Sequence, residues 1–210
     1  MKKLLTLCLA ALCVLSLTAC RDLFDEPVDE KPVLYLYPET EMEVTVTLDY
    51  DGVLTHTYPA YNGGWTVTAA PDGTLRDAAG REYYCLFWEG ASDTAYDFSR
   101  GFCVAGSDTA AFLEDALRQL GLTDTEAQEF IIYWLPRMEG NAYNRIAFQT
   151  DDYTDSARLH VTPAPDTVLR VFMAWQPLDK AVDMEPQTLT APARTGFTVV
   201  EWGGCQVGGD

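Results

Sequence analysis

Residues 43–58, EVTVTLDYDGVLTHTY, decide the fold of this chain. Apolar residues alternate with polar ones through the first half of this stretch, at Val44, Val46, Leu48 and Tyr50. This period of two is typical of a strand with one buried face. The dipeptide Asp51-Gly52 then separates it from a second β-rich run, Val53 to Tyr58. Because Asp-Gly suits the positive φ angles of a tight turn, the pattern predicts an antiparallel hairpin.

β-rich runs separated by turn sequences continue on both sides of this hairpin. Three further β-rich runs in the first half are Val33 to Tyr37, Trp65 to Ala69 and Tyr83 to Glu89. With their turn sequences they predict a meander of five or six antiparallel strands that forms one face of a sandwich. Strand candidates in the second half are Phe130 to Leu135, Asn144 to Gln149, Arg158 to Val161, Val168 to Trp175 and Phe197 to Trp202. Residues 179–194 carry two prolines and predict a long loop.

Two helices are predicted in the middle of the chain. Apolar residues recur there at helical spacing, at Phe112, Leu113, Ala116, Leu117 and Leu120. Ser107 or Asp108 is the expected N-cap and Gly121 the stop signal. Residues 123–126, TDTE, match a capping box and predict a second short helix that ends near Glu129. We therefore expect a predominantly antiparallel β fold of the α+β class, sandwich-like, with two short helices inserted.

The first twenty residues, MKKLLTLCLAALCVLSLTAC, have the layout of a secretory signal. Lys2 and Lys3 precede an apolar run of about 14 residues, which is too short to cross the hydrocarbon core of a bilayer. The ending LTAC resembles the lipobox of bacterial lipoproteins. That resemblance implies that residues 1–19 are removed and that Cys20 receives a diacylglyceryl group. The alternatives are an ordinary signal peptide cut near Ala19 and an uncleaved, weak anchor.

The resemblance also divides the chain and places it in the cell. Residues 20–31 are expected to be the lipidated cysteine and an acidic tether, 32–204 a single domain, and 205–210 a tail. Two lobes, 32–105 and 106–204, that share a core remain an alternative to one undivided domain. The phrases KPVLYLYP, YYCLFWEG, FIIYWLPRMEGNAYN, FMAWQPLDK and FTVVEWGG resemble an uncharacterised family of secreted bacterial proteins. The expected location is the outer face of the cytoplasmic membrane, with the lipid, which would include palmitate, as the membrane contact.

Charge and cysteine content exclude several classes of function. The formal charge is −18, and removal of residues 1–19 leaves 12 basic and 32 acidic residues, a charge of −20. So acidic a chain does not bind nucleic acid through bulk electrostatics. Three cysteines remain, at 85, 103 and 205, so one disulfide at most forms, and Cys103 with Cys205 is one pairing left open. The apolar neighbours of Cys85 predict a buried, inert thiol. No cofactor motif and no zinc-ligand spacing are found.

Five tryptophans favour a binding function, together with tyrosines such as Tyr35, Tyr58, Tyr61 and Tyr133. Exposed aromatic rings stack on sugars or hold peptide side chains. The binding candidates are Trp202, Trp88, Trp134 and Asn144. Trp202 is the strongest of them, because the two glycines after it are expected to leave one ring face open. The alternative is that the tryptophans fill the core of the domain.

Three carboxylates give a catalytic alternative. Glu89 and Glu201 each lie beside a tryptophan at the end of a predicted strand, and Glu139 precedes Gly140-Asn141. Two carboxylates about 5–9 Å apart in an apolar cleft serve as acid and base in glycoside hydrolysis. The competing explanation is that these side chains pair with backbone amides or with an arginine such as Arg137, Arg145 or Arg170. No motif for a serine or cysteine nucleophile accompanies them.

The sequence therefore favours a lipid-anchored binding module for a glycan or an envelope protein over an enzyme. A carboxylate-based glycan hydrolase and a purely structural envelope lipoprotein are the alternatives. Asp151, Asp152 and Asp155 match a calcium loop poorly and predict a solvated loop instead.

Overall fold

The computed structural model describes residues 28–208. The strands in this part of the chain are β1 (Val28–Tyr37), β2 (Met42–Tyr50), β3 (Val53–Tyr58), β4 (Trp65–Ala69), β5 (Leu75–Arg76), β6 (Glu82–Tyr83), β7 (Leu86–Ala91), β8 (Phe102–Ala105), β9 (Tyr143–Gln149), β10 (Ala157–Thr162), β11 (Thr167–Leu178) and β12 (Thr198–Gln206). The helices are α1 (Thr109–Gln119), α2 (Asp124–Met138) and α3 (Asp151–Ser156), and a single 3₁₀ turn, Gly106–Asp108, precedes α1.

The strands form two sheets, so the fold is a β-rich member of the α+β class, as predicted. The larger sheet has the order β3-β7-β1-β12-β11-β9-β8, and the smaller sheet has the order β10-β2-β4-β5-β6. Among the described strands, β11 and β12 form the one parallel pair. The chain between them, residues 179–197, is almost free of regular structure, which agrees with the predicted loop.

The predicted hairpin at Asp51-Gly52 is wrong. β2 pairs with β4 and β10 in the smaller sheet, whereas β3 pairs with β7 at an edge of the larger one. The dipeptide therefore carries the chain from one sheet to the other, and the first-half strands do not form one meander. Gly52 has no positive φ, and a Cβ there would collide with the carbonyl oxygen of Ala91. Close approach to β7, not turn geometry, requires this glycine.

The predicted stop signal and capping box are confirmed, but Asp108 makes no side-chain capping hydrogen bond and the second helix is longer than expected. α1 ends before Gly121, whose φ is +83°. Thr123 and Glu126 form both hydrogen bonds of the capping box at the start of α2. α2 then continues to Met138, so the strand predicted at 130–135 is wrong. An apolar run of this length does not distinguish a strand from a buried helix by its period.

The larger sheet separates two cores. Leu34 and Leu36 of β1 pack into the core that both sheets share, and Val33 and Tyr35 pack on the opposite face, against α1 and α2. This alternation follows from the two-residue repeat of a strand. The helices therefore cover one face of the larger sheet, and residues of the smaller sheet contribute to the core on its other face.

Two predicted boundaries shift. β1 begins at Val28, so residues 28–31 belong to the sheet and not to the tether. β12 extends to Gln206 and Cys205 is fully buried, so the tail is shorter than predicted. The predicted signal segment, the lipidation at Cys20 and tether residues 20–27 lie outside the described residues. Within residues 28–208, no helix is long and apolar enough to span a membrane.

Candidate functional site

The tryptophans predicted to bind ligand are buried. Trp88, Trp134 and Trp202 all have a relative exposure of 0%. Trp202 donates its indole N–H to the Tyr35 hydroxyl at 3.1 Å and packs in the core under the helices. The two glycines after it do not open its ring. At Gly204 a Cβ would lie 2.7 Å from the Trp134 ring, so this glycine makes room for a second buried indole.

Asn144, the polar binding candidate, is also fully buried. Its amide nitrogen donates to Thr109 Oγ1 at 3.0 Å and to the Met138 carbonyl at 2.9 Å, and its oxygen accepts from Asn141 Nδ2 at 2.7 Å. These contacts tie β9 to the start of α1 and the end of α2. Asn144 is therefore a structural residue, and the prediction that it contacts ligand is wrong.

Glu201 lies in a buried polar network between the two sheets. Its carboxylate accepts from Arg170 Nε at 2.6 Å, from the Tyr153 hydroxyl at 2.9 Å and from Trp88 Nε1 at 3.2 Å. Arg170 is the residue opposite Glu201 in the parallel β11–β12 ladder. The carboxylate is thus fully engaged by a cation and two neutral donors, in agreement with the arginine-paired alternative.

The three glutamates do not form an acid–base pair. Trp88 and Glu201 face the space between the sheets. Glu89, the residue after Trp88 on β7, therefore faces the opposite side of the larger sheet. Glu139 caps the C-terminus of α2 and is exposed. The predicted catalytic pair is wrong because the strand period separates its two members by the thickness of the sheet.

A second buried carboxyl, Asp29, has no cationic partner among the described residues. It is fully buried and accepts hydrogen bonds from the hydroxyls of Tyr50, at 2.8 Å, and Tyr96. Burial raises the pKa of Asp29 to about 6, the two tyrosine hydrogen bonds oppose this shift, and the nearby Glu201 adds to it.

The most exposed aromatic residues lie at the β3–β7 end of the larger sheet: Tyr58 is the last residue of β3, and Tyr84 precedes β7 with its ring 6.5 Å from that of Tyr35. We call Tyr58, Tyr84, Phe87, Tyr133 and Lys31 the aromatic face. Tyr84 is 61% exposed and Tyr58 is 56% exposed, and both are among the most exposed large apolar residues described. Tyr58 lies opposite Phe87 in the β3–β7 ladder, and Phe87 and Tyr133 border the core under the helices. Lys31 contacts both β7 and α2, because its ammonium lies 5.4 Å from the Phe87 ring and 5.5 Å from the Tyr133 ring.

A β-bulge places Lys31 in this position. Glu30 and Val33 are three residues apart on β1, but their partners Gly204 and Trp202 are two apart on β12. The register with β7 also contains one extra β1 residue. The extra residue breaks the strand alternation, so Asp29 faces the space between the sheets while Glu30 and Lys31 both contact α2.

Lys31 is also backbone-strained. Its φ is +62°, and it is the one non-glycine residue of the described chain with a positive φ. A lysine in this region costs on the order of 1 kcal/mol relative to ordinary strand geometry. Such strain is found mainly where the surrounding structure enforces it, which occurs often at functional sites.

Charged pairs surround the aromatic face. Glu30 accepts from Arg137 Nη1 at 2.6 Å and from the Tyr133 hydroxyl at 2.8 Å. Burial, together with the hydrogen bond to Glu30, raises the pKa of Tyr133 to about 12, so this hydroxyl stays protonated at neutral pH. On the β3 side, His56 Nδ1 lies 3.3 Å from Glu89. The face therefore combines planar rings with both donors and acceptors.

The cysteines of the described chain, Cys85, Cys103 and Cys205, are free thiols. Burial raises the pKa of Cys85 to about 11, which agrees with the predicted inert thiol. Cys103 and Cys205 are free thiols, so the pairing left open by the sequence is not formed. Among residues 28–208, no group of three or more His, Cys, Asp or Glu side chains is arranged to hold a metal ion. Asp151, Asp152 and Asp155 lie on the short helix α3, not in a loop.

Sequence reasoning counted Tyr58 and Tyr133 among the aromatic residues but missed Tyr84, Phe87 and Lys31. The strand period contained part of the signal. Leu86 and Trp88 occupy one face of β7, so Phe87 had to occupy the other. The bulge at Lys31 has no sequence signal, because its extra residue is visible only in the register with β7 and β12.

Fold and surface together define a β-rich α+β domain with a buried polar network around Glu201 and an exposed aromatic face. The chain is similar to an uncharacterised protein of Butyrivibrio fibrisolvens from the region 3′ of bglA, with 48% identity over 65 residues. The match covers 30% of this chain and 67% of that protein, so the chain belongs to the same family as that protein. No family model and no solved structure matches the chain.

Proposed function

We propose that this protein is a lipid-anchored binding module at the outer face of the cytoplasmic membrane and that it binds a glycan through the aromatic face. The observation that carries the proposal is the exposure of Tyr58, which lies opposite Phe87 in the β3–β7 ladder, and of Tyr84, which precedes β7. Sugar rings stack on such rings, because a flat apolar surface is presented with little loss of side-chain entropy.

The polar groups beside the rings fit a hydroxylated ligand. Glu89 and Glu30 offer acceptors, and His56, Lys31 and Arg137 offer donors, all on the face that carries the rings. Cleavage chemistry is not part of the proposal, since Glu89 and Glu201 lie on opposite sides of the sheet. An envelope protein as ligand would need a wider apolar contact than these four rings supply.

The anchor part of the proposal rests on the LTAC sequence at residues 17–20. Seven residues, 21–27, separate Cys20 from the start of β1 at Val28. At no more than about 3.5 Å per residue, this segment reaches about 25 Å, so the domain works close to the bilayer. We also propose that the two sheets pack as a sandwich, which is supported by the core to which both contribute.

Binding is tested by screening the full-length protein, in detergent, on an array of polysaccharides. Tyr58→Ala and Tyr84→Ala are each expected to weaken the strongest signal about fivefold or more, because stacking of a sugar on one ring contributes about 1 kcal/mol or more. Val182→Ala is the control, since Val182 is 42% exposed on the distant loop. Retention of every signal in both tyrosine variants would refute the aromatic face as the binding site.

The anchor is tested separately. Cells that express the protein and receive an alkyne-labelled palmitate are expected to label the native chain and not the Cys20→Ser variant. The variant should also appear in the soluble fraction. Equal labelling of both chains would show that Cys20 is not the lipidated residue, and it would leave the binding test unaffected.

A further inference from the structure

Lys31 is an ammonium group placed on the aromatic face at a structural cost. The bulge that positions it interrupts β1 against both neighbouring strands, and its backbone adopts a left-handed conformation. A glycine or asparagine would meet the backbone requirement with less strain. The side chain, not the turn, therefore requires explanation at this position.

The ammonium of Lys31 is not engaged by any described carboxylate. None of the ion pairs among residues 28–208 includes it, although the chain has 32 acidic and 14 basic residues. The carboxylates around it have other partners: Arg137 binds Glu30, Tyr35 donates to Glu129 and His56 contacts Glu89. The rings of Phe87 and Tyr133 hold the ammonium through cation–π attraction. Unlike a carboxylate, they do not accept conventional hydrogen bonds from its N–H groups.

We propose that Lys31 determines ligand specificity and that the glycan bound by the aromatic face carries an anionic group, a carboxylate or a phosphate. This inference rests on the proposed glycan-binding function. The sugar ring stacks on the exposed tyrosines, and its acidic substituent accepts hydrogen bonds from the Lys31 ammonium. A charge-assisted hydrogen bond of this kind is about twice as strong as a neutral one.

Local pairing matters more here than the overall charge of the protein. The net charge of −18 opposes the approach of an anion, but at physiological salt that field is screened beyond about 8 Å. At contact distance the partially desolvated ammonium dominates. Lys31 therefore selects acidic over neutral glycans at the site, although the protein as a whole does not attract them.

The test uses the full-length protein in detergent and titration calorimetry with three probes. Tetragalacturonate carries carboxylates, its carboxyl-reduced counterpart is neutral, and glucose 6-phosphate carries a phosphate. The native protein is expected to bind one acidic probe at least about tenfold more tightly than the neutral probe. The acidic probe with the higher affinity shows whether the ligand carries a carboxylate or a phosphate. Equal affinity for all three overturns the proposal.

Variants at Lys31 separate specificity from folding. Lys31→Gln is expected to lose about tenfold in affinity for the acidic probe and to bind the neutral one as before, while Lys31→Arg keeps the preference. Raising the salt from about 0.05 M to about 0.5 M should weaken acidic binding in the native chain and not in Lys31→Gln. If Tyr84→Ala abolishes binding but Lys31→Gln leaves the preference intact, glycan binding stands and the role of Lys31 is refuted.

Discussion

Replacing Asp29 with asparagine is expected to stabilise the protein at neutral pH. Asp29 is fully buried without a described cationic partner, and its carboxyl accepts hydrogen bonds from Tyr50 and Tyr96. Burial, more than any other cause, raises its pKa from 3.8 to about 6. The folded state therefore holds a proton on this group more tightly than the unfolded chain does.

The size of the effect follows from the shift. A difference of about two pKa units, at 1.36 kcal/mol each, corresponds to about 3 kcal/mol. Since the folded-state pKa is raised, Asp29 costs nothing below about pH 4, where both states are protonated. The cost grows as the pH rises through the interval from 3.8 to about 6, and it is complete above about pH 7. Asparagine has nearly the same shape and never ionises, so it removes the cost.

The assay is urea unfolding of the native protein and of Asp29→Asn at several pH values from about 4 to about 8. The variant is expected to gain about 2–3 kcal/mol in stability at pH 7.5 and close to nothing at pH 4. The gain at pH 7.5 can fall below the full value of about 3 kcal/mol because one tyrosine hydroxyl must rotate to accept a hydrogen bond from the new amide. Subtracting the two curves removes the titration of all other groups. Asp152→Asn, the same change at an exposed carboxylate, is the control. A stability difference that does not vary with pH, or a variant that is less stable at pH 7.5, would refute the reasoning.

Three further substitutions test the packing. Glu201→Gln leaves the buried Arg170 guanidinium without its counter-ion, so a loss of about 3–5 kcal/mol is expected in chemical denaturation, and a loss below about 1 kcal/mol would contradict it. Thr123→Ala removes the capping hydrogen bond of α2 and should cost about 1 kcal/mol, measured by thermal unfolding, whereas Thr123→Ser should restore most of it. Gly204→Ala places a Cβ 2.7 Å from the Trp134 ring, so we expect a loss of about 1–3 kcal/mol and a changed tryptophan emission spectrum. An unchanged spectrum at native stability would show that the ring has room to move.

The sequence predicted elements well where the signal was local. The strand Trp65–Ala69 has the predicted bounds, and the capping box at Thr123 and Glu126 is formed. Sequence-based prediction failed where the pairing partner of a strand lies far along the chain. Asp51-Gly52 has the composition of a hairpin turn, but β2 and β3 find their partners in different sheets, and no local pattern encodes that choice.

The candidate site was likewise predicted only as far as local patterns allow. A strand period tells which residues share a face but not which face will be covered. The tryptophans were candidates because they are large and aromatic, and these properties also make them the most favourable residues to bury. Tyr58 stays at the surface at the end of β3, an edge strand of the larger sheet, and Tyr84 in the connection that precedes β7.

The position of β12 has a consequence for how the chain folds. This strand, residues 198–206, lies between β1 and β11 in the larger sheet, so the first and the last described strands are direct neighbours. Loop closure between them spans nearly the whole chain, and such high contact order slows folding. During synthesis or export β1 and β11 emerge before the strand that joins them, so the sheet is completed only after residue 206 has emerged. Until then the edges of β1 and β11 that β12 will cover are open, and a chaperone that binds extended segments would find its substrate there.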